Sequence, residues 1–238
     1  MFDNYYNDLR DFIEMLEGEG LLYRWQRRVN KDTELMPLMR LQYRGRADAD
    51  RQAFLYENVT DGRGRHYGIK VLTGVYAASR RIVGLGMGCK EPGDIYERWR
   101  RAVDKPIDPV VVENGPVHEE VHIGAELEKI GLAMLPAPVE EPGFSGDTRV
   151  TGPFITEDSS SGVRNVGMYS GHFRPPNRLL AGIGPSHHAM LYHYPSAKQR
   201  RESLPVAIVL GALPDINYVA AANLPYGLDE LSVAGGIR

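Results

Sequence analysis

Residues 104–116, DKPIDPVVVENGP, set three prolines and a glycine around one apolar triplet. Proline fixes φ, lacks an N–H and pushes its predecessor out of helical geometry, so neither a helix nor a central strand continues through such a stretch. We take it as the passage between two domains, residues 1–112 and 113–238. With 42% hydrophobic residues in 238, the chain can bury a substantial core.

The two parts carry different periodicities. In the first, Leu9, Phe12, Ile13 and Leu16 recur at helical spacing, with Asn7 or Asp8 placed to cap the helix and Gly18 and Gly20 to end it. Residues 21–29 (LLYRWQRRV) read as a strand. Leu35, Leu38, Met39 and Gln42 mark a second helix closed by Gly45, with Pro37 in its first turn, where a missing N–H is tolerated. Two runs of β-formers, 53–59 and 67–73, flank the turn DGRGR and predict strands of one sheet. Helices over 79–85 and 92–103, the latter with Ile95, Trp99 and Val103 on one side, complete an α/β layer.

The second part is dominated by strand signal, at 117–123, 152–156, 165–173, 178–183 and 205–210, with the turn spacing of a sandwich or barrel. Helical signal is limited to 125–130 and to the region after His188. The expected fold class is therefore α+β.

Charge and cysteine content exclude several functions. With 28 basic and 31 acidic side chains and a net charge of -3, the chain presents no general basic field for nucleic acid or an anionic membrane. The single cysteine, Cys89, excludes an internal disulfide and a cysteine-clustered metal site, and it fits a reducing compartment. The opening MFDNYYNDLRDF lacks the basic and apolar regions of a secretory leader, and no apolar run approaches the roughly 18–20 residues of a membrane span. A cytoplasmic protein is expected.

Residues 156–188, TEDSSSGVRNVGMYSGHFRPPNRLLAGIGPSHH, hold the densest chemistry. On a strand, Asn165 and Gly167 share one face, and Gly167 leaves that face bare, as close approach of a ligand requires. Asn165 is equally suited to capping the SSSG turn through its amide. His187 and His188 are adjacent, so at most one serves a given site. His118, His122, His172 and His193 have no better claim. Asp229 and Glu230 stand before an apolar, glycine-rich tail, as an N-terminal helix cap does, and Glu230 is otherwise an oxygen ligand.

Taken in order, LRDFIEMLEGEGLLYR, AFLYENV, PVHEEVHIGAELEKIGLAMLPAP, ITEDSSSGVRNVGMY, PVAIVLGALPDI and LPYGLDELSVAGGIR resemble the UbiD family of decarboxylases, which use prenylated FMN. The resemblance implies an N-terminal α/β domain followed by a split β-barrel flavin-binding domain. It implies that Asn165, His187 and Glu230 bind a divalent metal that clamps the flavin phosphate. Two neutral ligands, one carboxylate and phosphate oxygens suit Mn²⁺ or Mg²⁺, with K⁺ as a further ion of the site. By position it places Gly167, Met168, Ser186, Ala221, Ala222 and Pro225 along the flavin.

The sequence also departs from the family. Active members carry an arginine five residues after the metal asparagine, and here that position is Ser170. A hydroxyl cannot replace a bidentate, permanently charged guanidinium, so Arg174 or Arg178 is expected to reach in. The family's two catalytic glutamates and its C-terminal domain lie beyond the segment that ends here at Arg238. The expectation is a subunit that binds prenylated FMN and metal and acts on an aromatic or α,β-unsaturated carboxylic acid with another UbiD-like chain. The alternative is a non-catalytic cofactor-binding or structural subunit of such a complex.

Overall fold

The computed structural model describes residues 6–143 and 145–238; the opening MFDNY lies outside them. Helix α1 (Leu9–Gly18) begins where Asp8 accepts from the Arg10 and Asp11 N–H groups at 2.8 and 2.9 Å. Such a cap contributes about 1 kcal/mol. The helix ends before Gly20, whose φ of +69° is a conformation glycine adopts without Cβ strain. Its buried face carries Phe12 and Leu16, each worth about 1.5–3 kcal/mol of apolar burial.

Strand β1 (Leu22–Asn30) pairs in parallel with β2 (Ala53–Thr60), and the crossover between them contains α2 (Leu35–Gly45). A parallel pair needs such a crossover, because a tight turn cannot reverse the chain twice. The strand expected over 67–73 is two short ones, β3 (His66–Tyr67) and β4 (Val71–Thr73), pairing antiparallel with different stretches of β2 and separated by residues 68–70. Helix α3 (Arg80–Gly86) is capped by the Ser79 hydroxyl and precedes α4 (Ile95–Asp104).

Residues 117–123, expected as a strand, form a 3₁₀ turn over Pro116–His118 and irregular chain leading to α5 (Gly124–Ile130). Val117, Val121 and Ile123 are exposed, so this apolar alternation gains no sheet face to bury. The second sheet is an antiparallel half-barrel ordered β7-β6-β5-β8, built from β5 (Arg149–Glu157), β6 (Arg164–Arg174), β7 (Arg178–Gly182) and β8 (Val206–Ile208). β8 is only three residues of the expected 205–210. A π-helical turn (Ala189–His193) runs into α6 (Tyr194–Gln199). Helix α7 (Pro214–Ala221), which the sequence reading did not single out, packs on β5 and β6 and leads to α8 (Glu230–Ile237).

The first core lies between the N-terminal sheet and its helices. A second core disregards the break at 104–116: Met87, Cys89 and Ala102 from one side pack with Val219, Leu224, Val233, Ala234 and Ile237 from the other. Small residues permit this contact. A Cβ on Gly235 would lie 2.2 Å from the Ile107 carbonyl oxygen, and one on Gly236 would lie 2.8 Å from those of Ala102 and Lys105. Among the described residues no helix is long and apolar enough to cross a membrane.

The β5–β6 hairpin is organised by Asp158. Its carboxylate accepts from the Ser160 hydroxyl at 2.8 and 2.9 Å, the Ser161 hydroxyl at 3.0 Å and the Ser196 hydroxyl of α6 at 2.7 Å. These bonds, Ser196 and Ser160 foremost, hold its carboxyl well below the usual carboxylate range.

Gly235→Ala should destabilise the fold by about 1–3 kcal/mol, because the obstructing atom is backbone and cannot rotate away; the measurement is the urea midpoint at unchanged slope. The depressed Asp158 contributes stability above the unfolded aspartate value of about 4, and that contribution is lost as pH falls below it. Asp158→Asn should lower stability at neutral pH and flatten the acid limb of a pH–stability curve; an unchanged acid limb would remove Asp158 as its cause.

Candidate functional site

The site is built where β6 starts and α8 starts. Asp229 caps α8 through a 2.9 Å bond from the Leu231 N–H and pairs with Arg164 at 3.2 Å, so the helix begins against the first residue of β6. Glu230, one residue on, turns inward, and its carboxylate accepts from the Val166 N–H at 3.0 Å. The two acids thus divide the roles that the sequence left open: Asp229 is the cap, and Glu230 is only 3% exposed. Burial raises the Glu230 pKa, and the Val166 bond offsets only part of that rise.

Asn165 neighbours Val166 and is also buried, and its Nδ2 makes no close hydrogen bond beyond an electrostatic contact with the Tyr169 phenol. It does not cap the SSSG turn, which belongs to Asp158. A buried amide donor left unpaired costs about 1–3 kcal/mol.

Across the β5–β6 ladder Asn165 faces Thr156, whose Oγ1 lies 2.9 Å from His193 Nδ1. His193 is wholly buried, its Nε2 has no partner, and burial lowers its pKa, favouring the neutral ring. The π turn brings it there. Nothing in the sequence distinguished His193 from the other histidines; the Thr156 contact arises from strand register and one irregular helical turn.

Tyr169 shares the Asn165 face of β6 and folds back over Gly167, where an added Cβ would meet the phenol oxygen at 2.2 Å. The face expected to be bare is therefore occupied by the Tyr169 ring. Burial raises the Tyr169 pKa, the Asn165 amide draws it back, and the Glu230 carboxylate adds to the rise. The ring meets His187 edge-on at 5.1 Å between centroids. His187 is exposed, with Nδ1 3.1 Å from the Gly184 carbonyl oxygen, whereas the His188 ring packs on Tyr192 and Tyr226.

Asn165, Glu230 and His187 are therefore linked through Val166 and Tyr169. Among the described residues no three His, Cys, Asp or Glu side chains are grouped to hold a metal. A set of one amide oxygen, one carboxylate and one imidazole from Asn165, Glu230 and His187 is not such a group, because only two of its members are of those types. Of the remaining positions, Met168 is half-buried on β6, Ser186 is exposed before the π turn, and Ala221, Ala222 and Pro225 line the connection from α7 to α8, with Ala221 and Pro225 exposed. In that connection Tyr226 stacks on Tyr192 at 4.0 Å.

Neither arginine expected near Ser170 is bonded to it. Arg174 donates to Asp147 at 3.1 Å, and Arg178 is exposed at the far end of the β6–β7 hairpin. Arg149 of β5 instead donates from Nη2 to the Ser170 hydroxyl at 2.7 Å and from Nη1 to Glu140. Ser170 stands directly opposite Thr151 in the ladder, with their hydroxyls 2.9 Å apart, and Arg149 lies two residues further along β5. Sequence distance from Asn165 could not disclose this neighbour.

Residues 109–238 match the 3-octaprenyl-4-hydroxybenzoate carboxy-lyase Rift-related domain, and residues 13–109 match the N-terminal domain of the same carboxy-lyase. A phenolic acid decarboxylase from Streptomyces sp. (strain D7) is 28% identical over 98% of this chain and 48% of its own length. The UbiD-class enzyme HmfF from Pelotomaculum thermopropionicum, solved in complex with FMN, aligns with a TM-score of 0.82 and 28% identity over 98% of this chain and 48% of that one. An evolved dimeric form of HmfF in complex with prFMN aligns equally well, at 27% identity over 98% of this chain and 51% of that one. The open form of the vanillic acid decarboxylase ShVdcCD from Sedimentibacter hydroxybenzoicus gives 0.80 at 26% identity over 98% and 48%. The chain spans about half the length of the curated relatives it matches. With both domain matches running in order from residue 13 to 238 and the half-barrel built as described, the chain belongs to the UbiD family of carboxy-lyases.

Proposed function

We propose that this chain forms the N-terminal (1–112) and central (113–238) parts of a cytoplasmic UbiD-class enzyme that binds prenylated FMN and a divalent cation. The reaction is reversible, non-oxidative decarboxylation of an aromatic or α,β-unsaturated carboxylic acid. The observation that carries this reading is the Asn165–Glu230 juncture: a buried carboxylate with one backbone donor beside a buried amide. A buried acid with a raised pKa lacks a counter-charge, and a hard cation supplies one.

The residues present fit that group. Asn165, Glu230 and His187 offer amide oxygen, carboxylate and imidazole, which suit Mn²⁺ or Mg²⁺, with K⁺ as a second ion. Gly167, Met168, Ser186, Ala221, Ala222 and Pro225 would line the flavin, and Gly167 becomes accessible only when the Tyr169 ring turns aside. When bound, the prenylated flavin supplies the electron sink for loss of CO₂. The chain's own residues position it: Glu230 fixes the start of β6 against α8, and Thr156 orients His193 beneath it.

The catalytic unit in this proposal includes polypeptide beyond these 238 residues, in a homo- or hetero-oligomer with a UbiD-like C-terminal or catalytic chain. A second reading, a cofactor-holding subunit whose catalysis resides in another chain, is favoured by the hydroxyl at Ser170.

Glu230→Gln tests the proposal. Protein co-expressed with a flavin-prenylating enzyme should lose metal and flavin together while retaining its fold, as read by metal analysis, absorbance and circular dichroism. Wild-type occupancy in the variant would reject the role. In the metal-free chain the sign is opposite: a raised folded pKa means stability falls as pH rises from the unfolded glutamate value of about 4.3, and Glu230→Gln should abolish that fall.

A further inference from the structure

Residues 106–128, PIDPVVVENGPVHEEVHIGAELE, hold six acidic side chains and no lysine or arginine. Within them Val110, Val111, Val112, Val117, Val121 and Ile123 are 58–93% exposed. Single apolar residues at a surface are ordinary, but six β-branched ones in a single short stretch are what a protein–protein contact covers.

The stretch is fixed at both ends. The Ile107 N–H donates to the Ser232 carbonyl at 2.8 Å and the Ser232 hydroxyl donates to Asp108 at 2.9 Å, so it starts from α8, close to Glu230. Past α5, the Leu132 N–H donates to the Pro176 carbonyl at 2.7 Å. Among the described residues, the backbone bonds between 109 and 121 are local ones: His118 N–H to the Gly115 carbonyl at 2.9 Å and Glu119 N–H to that of Pro116 at 3.2 Å. The alternation over 117–123 nevertheless has the period of a strand, with Val117, Val121 and Ile123 on one face and His118, Glu120 and His122 on the other. Its backbone groups and its apolar face both lack a partner, and a strand edge supplies both at once.

We infer that residues 117–123 pair as a strand along a free sheet edge of the polypeptide that supplies the rest of the UbiD-class unit. The inference rests on the function proposed above for the identity of that partner. Curated relatives carry about as much chain again as they share with this one, which is the material to cover the stretch. The acidic flank, Asp108, Glu113, Glu119 and Glu120, requires lysine or arginine beside the receiving edge, and it opposes docking on an anionic bilayer or nucleic acid. Because the stretch starts from α8, pairing also braces the helix that carries Glu230.

The experiment co-expresses this chain with the half of the Streptomyces phenolic acid decarboxylase that it does not match, and follows hydrogen exchange in the purified complex. A complex should form, and the amides of 117–123 should exchange about tenfold or more slower than in the chain alone. Val121→Asp, at an exposed position, should leave the chain's own urea midpoint unchanged and weaken the complex about tenfold or more, whereas Val121→Ile should bind as wild type. Raising sodium chloride should weaken the wild-type complex by screening the acidic flank. Absence of a complex, exchange at 117–123 as fast as in the free chain, salt-insensitive binding, or wild-type affinity in Val121→Asp would overturn the proposal. A dimer of this chain alone that protects 117–123 would assign the surface to a second copy and overturn it as well. The metal and flavin result for Glu230→Gln is read on this chain without the partner, so failure of either leaves the other standing.

Discussion

The bond from the Val166 N–H to the buried Glu230 carboxylate joins the half-barrel to the helical layer that rests on the N-terminal part of the chain. A carboxylate is removed from water only where something repays its desolvation, and a single backbone donor does so incompletely. The bond exists because α8 is placed accurately. Asp229 caps it, Arg164 ties that cap to β6, and Gly235 and Gly236 let it settle on the backbone around Ala102 and Ile107. If α8 shifted outward, Glu230 would hydrate and the Asn165 site would lose its acid.

The turn between β5 and β6 is organised by other polar contacts. Asp158 gathers the serine-rich hairpin and binds Ser196 of α6, which follows directly from the π turn. That tether holds His193 beneath Thr156, and Tyr226 closes over the same turn. Asn165 and His193 each keep a buried nitrogen without a close hydrogen bond on this framework, as do Arg149, Arg164 and His172 on β5 and β6.

Much of the fold was legible because it rests on periodicity. The Leu9–Leu16 spacing, a cap at Asn7 or Asp8, the strand–helix–strand order over residues 21–59 and the Ile95–Trp99–Val103 face all depend on near neighbours in the chain. Reading failed where pattern and partner disagreed. Residues 117–123 alternate like a strand but have no sheet to join, and the run at 67–73 is cut because β2 pairs with two separate pieces. Residues 104–116 break secondary structure as their prolines require, yet the core beneath them is continuous, since packing follows proximity and not chain order.

At the site, the sequence by itself determined the residue types: a strand bearing Asn165 and Gly167, an acidic pair before a glycine-rich helix, and a hydroxyl at position 170. Their order also carried the resemblance to the family. Tertiary structure decided which acid caps and which turns inward, that the Tyr169 ring covers Gly167, that His193 lies under Thr156, and that Arg149 reaches Ser170. The reason is physical. Caps and periodic faces are set within a few residues of one chain, whereas burial, strand register and the pairing of charges are set by segments that meet only when the whole chain has folded.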